Sequence, residues 1–123
     1  MTTVFEGQML IDGELVESVS GERFDSINPV NEELIGTVPK ANADDVERAY
    51  QAARRAQTEW AETDMGHRIK LMNEFARDLG SRKEEIAQLE VRDTGNTIGP
   101  MRQDVVTAAD RIRLYACLLY TSD

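Results

Sequence analysis

The residues from Asp93 to Asn96, the lone His67, the lone Cys117 and the acidic pairs Asp44-Asp45 and Glu84-Glu85 are where residue type and spacing could do chemistry. Asp93-Thr94-Gly95 could supply half of a carboxylate pair that shares a proton, but that mechanism holds its aspartate on a tight loop between strands. Here apolar residues recur at helical spacing through Ile86, Leu89 and Val91, so the tripeptide ends a helix and Asp93 faces a corner. An exposed carboxylate at the negative end of a helix dipole is disfavoured by roughly 0.3–1 kcal/mol. A bound cation, a ring of backbone N–H donors or an Asx-turn to the nearby chain would each offset that cost. Cys117 as a nucleophile needs a base within hydrogen-bond reach, and His67 lies in a charged helical start. The simpler reading is a solvated surface histidine and a cysteine that is a small apolar filler or a foreign residue. The acidic pairs fall in first helical turns, where dipole complementarity accounts for them. No Gly-rich phosphate loop follows a strand.

The elements that position these residues follow in order along the chain. Met9–Ile11, Asp12-Gly13 and Glu14–Val16 form a strong short hairpin pattern. A second ribbon runs from Arg23 to Asn28, turns through Pro29–Glu33 and returns over Leu34–Val38, with Pro39 ending it. Two ribbons this short cannot cover both their faces and need a partner surface. Asn42 caps a helix that begins at Ala43, with Val46, Ala49, Tyr50, Ala53, Ala56 or Gln57, and Trp60 on one apolar stripe. The pattern breaks near Thr63-Asp64 and restarts with Ile69, Met72, Phe75, Ala76 and Leu79. Gly80 fits a left-handed C-terminal position, and Ser81-Arg82-Lys83-Glu84 reads as a capping box opening the next helix. After the Asp93 corner, Gly99-Pro100 starts a last helix carrying Met101, Val105, Ala108, Ile112, Tyr115 and Leu119.

Composition bounds the partners. A chain of 123 residues with 23 acidic and 14 basic residues, net charge -9, is long enough for one core and repels phosphate backbones and anionic bilayers. Nucleic acid and membrane partners are therefore not expected. No apolar run approaches the roughly 18 residues of a membrane span, and the N-terminus lacks a basic and an apolar leader region. A single cysteine allows neither an internal disulfide nor a thiolate metal cage. The expected compartment is the cytoplasm.

The order of these pieces resembles a known family. Ile11-Asp12-Gly13-Glu14, then Ser20-Gly21-Glu22-Arg23-Phe24, Ile27-Asn28-Pro29, Ile35-Gly36-Thr37-Val38-Pro39 and Ala43-Asp44-Asp45-Val46-Glu47-Arg48-Ala49 are similar to the N-terminus of the aldehyde dehydrogenase superfamily. The resemblance continues through Trp60, Arg68, Leu89-Glu90, Asp93-Thr94-Gly95 and Ala108-Ala109-Asp110 to Tyr115-Ala116. It implies an α/β fold, the N-terminal part of a cofactor-binding domain, in which two β-hairpins and amphipathic helices leave the sheet incomplete. It also implies a parent enzyme that uses NAD or NADP to oxidise an aldehyde to a carboxylic acid. In such enzymes a cysteine attacks the aldehyde, hydride passes to the nicotinamide and a glutamate helps water hydrolyse the thioester. Those groups, and the nucleotide contacts, are expected in sequence beyond this chain, which would be an inactive fragment of a homo-oligomeric parent.

Carried over from that resemblance, the carbonyls of Ser26 and Ile27 and the carboxylate of Asp93 are candidate ligands of a monovalent cation. A hard cation wants such oxygen donors. Residues 1–116 are assigned to the family domain. Residues 117–123, Cys117-Leu118-Leu119-Tyr120-Thr121-Ser122-Asp123, depart from the family pattern and are expected to be a non-native tail. The competing expectation is a free-standing acidic α+β module that binds a protein partner through its apolar helix faces.

Overall fold

The structure, a computed structural model, describes residues 4–119. The chain forms two compact units, Met1–Glu62 and Thr63–Asp123.

In the first unit, β2 (Met9–Ile11) and β3 (Glu14–Val16) pair antiparallel in the expected register, Met9 opposite Val16 and Ile11 opposite Glu14. Asp12 (φ 57°) and Gly13 (φ 79°) both adopt the left-handed conformation that matches a two-residue turn to the twist of its strands. β4 (Arg23–Ile27) and β5 (Leu34–Pro39) form the second ribbon, with an irregularity at Ser26/Ile27. The Asn28 side chain accepts the Val30 N–H, and the Asn28 carbonyl accepts the Glu32 N–H, closing the connection.

The sequence pattern did not reveal β1 (Phe5–Glu6), which joins β5 in parallel and makes the sheet order β1-β5-β4. Two residues are too few to show alternation. Gly36 makes the pairing possible, because a Cβ there would collide with the Phe5 backbone carbonyl. Arg23 ties the sheet together. Its guanidinium donates to Gly7 O (2.8 Å), Thr37 O (3.0 Å) and Thr37 Oγ1 (3.0 Å), and pairs with Glu17.

α1 (Ala43–Glu62) begins where Asn42 predicts. Its expected apolar stripe is split: Val46, Tyr50 and Trp60 are exposed, whereas Ala49, Ala53 and Ala56 of the same stripe line, with Ala52, a cleft shared with Leu10–Gly13 of the hairpin, and the buried positions are Asp45 and Ala52.

The second unit is helical: α2 (Met65–Ser81), α3 (Lys83–Thr94) and α4 (Ile98–Leu119), with α2 and α3 each packed on α4. Asp64 caps α2 by accepting the His67 N–H at 3.1 Å. The expected break between α2 and α3 takes another form. Gly80 stays helical, α2 runs on to Ser81, and Arg82 alone separates the helices. The capping box at Ser81–Glu84 is not formed. Ser81 Oγ donates back to Asp78 O (2.8 Å), and Glu84 is drawn to Arg102 of α4 by bonds of 2.7 and 2.7 Å. A bidentate pairing of two opposite charges outweighs one neutral cap bond.

Pro100 sits in the first turn of α4, where its missing N–H costs nothing. The buried line on α4 is Met101, Val105, Ala109 and Ala116, so the expected Ala108 and Tyr115 lie one residue off it. Tyr115 is 62% exposed, as is Phe75 on α2 at 61%. The core of this unit is built on Ala76, Ala87, Ala109 and Ala116 with Ile69, Met101 and Val105.

Candidate functional site

The polar centre of the first unit is Asp45, at 1% exposure. It occupies the third position after Asn42, and the two side chains cap reciprocally. Asn42 Oδ1 accepts the N–H groups of Asp44 (2.9 Å) and Asp45 (3.0 Å), while Asp45 Oδ2 accepts the Asn42 N–H (3.0 Å). A capping box therefore exists in this chain at 42–45 rather than at 81–84. Asp45 also reaches outside its helix. Ser18 Oγ donates to Oδ2 at 2.6 Å, the Val19 N–H donates to Oδ1 at 3.0 Å, and Arg48 lies 3.4 Å from Oδ1. The Ser18 hydroxyl first, and then the Asn42 backbone donor, hold the Asp45 carboxyl below the usual carboxylate range against the opposing effect of desolvation. The carboxylate fastens the Ser18–Gly21 turn to the start of α1, a role that dipole complementarity alone does not describe.

Beside it, β2, β3 and α1 enclose a cleft of about 330 Å³ with Ile11 and Val16 at its apolar side. Asp12, Glu14 and Glu47 face Arg48 and Arg55 around it, and Arg55 Nη2 pairs with Asp12 at 3.0 Å. Such a rim can hold small polar groups of either sign; it contains no nucleophile with a base beside it. The seven-residue spacing of Arg48 and Arg55 put both on one helix face, but nothing in the sequence showed the hairpin closing over that face.

In the second unit, Asp93 is exposed in the last turn of α3 and Thr94 is the final helical residue. Gly95 takes the left-handed conformation (φ 73°) and its N–H bonds Val91 O at 3.0 Å. Thr94 Oγ1 donates to Glu90 O (2.7 Å) and accepts the Asn96 N–H (3.2 Å). The corner is thus closed by Thr94 and Gly95. A helical Asp-Thr-Gly cannot present the loop aspartate of a proton-sharing pair.

Ser26 and Ile27 lie in the first unit, at the β4–β5 irregularity, and Asp93 lies in the second. Glu84 and Glu85 are engaged by Arg102 and Arg82 respectively. Arg102, and secondarily Gln88, hold the Glu84 carboxyl down to about 2. His67 is exposed in the first turn of α2. Cys117 is exposed on α4, which runs unbroken through it to Leu119; Tyr120 to Asp123 of the expected tail lie outside the described residues. Among the described residues, no group of three or more His, Cys, Asp or Glu side chains is arranged to hold a metal ion. None of the described helices is long and apolar enough to cross a membrane.

The sequence model of the aldehyde dehydrogenase family matches residues 15–122. The fold is similar to that of an NAD-dependent aldehyde dehydrogenase from Sinorhizobium meliloti, with TM-score 0.89 and 34% identity over 94% of this chain and 24% of that one. An NADP-dependent glyceraldehyde-3-phosphate dehydrogenase from Bacillus halodurans matches with TM-score 0.89 and 31% identity, over 91% of this chain and 24% of its own. A betaine aldehyde dehydrogenase from Staphylococcus aureus matches with TM-score 0.86 and 37% identity, over 91% and 23%. The chain spans about a quarter of the length of these proteins.

Proposed function

The chain belongs to the aldehyde dehydrogenase family, and on that premise we propose that it forms the N-terminal part of the cofactor-binding domain of an enzyme oxidising an aldehyde to a carboxylic acid with NAD or NADP. The observation that carries the reading is the family match across residues 15–122, joined to a similar fold in relatives named as NAD- and NADP-dependent. NAD(P), when bound, accepts the hydride. The strand-to-helix junction from β5 to α1 is where a phosphate would meet helix N–H groups, and Asn42 and the Asp45 carboxylate already take those donors. In this reading the catalytic and nucleotide-binding groups are assigned to other parts of a homo-oligomeric parent. This part supplies packed ribbons and helices.

The test is to express the whole reading frame that contains this segment beside the 123-residue chain and to follow NAD(P)H formation with a panel of aldehydes. Turnover by the long product and none by the short one is expected. A frame that encodes no cysteine nucleophile and no glutamate beyond this segment overturns the reading. Turnover by the short chain that survives Cys117→Ala overturns the assignment of catalysis to other parts.

The same proposal includes a structural monovalent cation held by the Ser26 and Ile27 carbonyls and the Asp93 carboxylate. Its support is the family resemblance and the all-oxygen donor set, which suits a hard cation. In the full-length protein, Asp93→Ala is expected to lower the melting temperature and remove its dependence on potassium or sodium. A wild type that responds only to general ionic strength would leave Asp93 with no role beyond its own helix end.

A further inference from the structure

We draw no further inference here: the strongest candidate, the outward apolar stripe of Val46 and Tyr50 on α1, carries nothing because nothing in the structure shows what covers it.

Discussion

The two units are held together by different means. Among the described residues, the first buries Ile11, Ile35 and Ala52 with the polar Ser18 and Asp45, while the second buries Ile69, Met101, Val105 and four alanines. In the first, two charged side chains do the joining: Arg23 spans the three strands from Gly7 to Thr37, and Asp45 ties a turn to a helix cap. In the second, alanines of α2, α3 and α4 fill four of the seven buried apolar positions, small side chains that suit close helix packing, and ion pairs such as Glu84–Arg102 stand at the surface. Short ribbons bury too little apolar area to set their own register, so directional bonds must do it. Three helices can rely on shape, because packing at native density is itself specific.

Substitutions can break this contrast. The largest effect is expected from Ala76→Leu in α2, whose parent side chain has no exposed area. Overfilling such a site typically costs about 1–3 kcal/mol, so the melting temperature should fall by several degrees, with faster amide exchange in α2 and α4. Unchanged exchange there would mean that the alanine contacts are not tightly packed.

Asp45→Ala should act on the first unit instead. Amide exchange at Val19 and Asn42 should speed up by on the order of tenfold, while α2 to α4 keep their protection. A variant with wild-type exchange at both amides would show that this polar centre is not what joins turn to helix. The pH dependence follows from the direction of the shift. The folded carboxyl titrates below its ordinary range, so its contribution is complete above that range and is lost as pH falls through the depressed value.

The smallest effect belongs to Glu84. Its folded value of about 2 lies below the ordinary 4.5, so the pairing with Arg102 stabilises fully above about 4.5 and is lost as pH falls toward about 2. Both partners are about half exposed, so solvent and salt screen the pair. Glu84→Gln should barely move the melting temperature at neutral pH and should flatten the acid limb between those values. A large neutral-pH loss would place the second unit's stability in its ion pairs, contrary to the comparison.

Local patterns were legible wherever one or two residues decide the geometry. Asp12-Gly13 prescribed a tight turn, Asn42 marked a helix start, the Thr63-Asp64 break marked the division between α1 and α2, and Pro100 marked a first turn, because φ preferences and capping bonds act within a few residues. The family was legible from the order of such pieces, and residues 15–122 match it. The acidic pairs do fall in first helical turns, and the side chains of Asp45, Glu84 and Glu85 also make specific bonds that the dipole alone does not describe.

What the sequence by itself determined, then, is the order of the elements from β2 onward, most of the turns and the family. The tertiary structure alone decided which face of each helix is covered and what each polar residue is for. Val46, Ala49, Tyr50 and Ala53 read as one apolar stripe, and only the seat of the hairpin separates Ala49 and Ala53, which line its cleft, from the exposed Val46 and Tyr50. Likewise Ser81–Glu84 and Asn42–Asp45 are both plausible boxes in one dimension. Arg102, eighteen residues beyond Glu84, removes its carboxylate from the first, while Ser18, twenty-seven residues before Asp45, adds a bond to the second. Partners that far apart in the chain become neighbours only through folding, and a buried or paired charge takes its role from those neighbours.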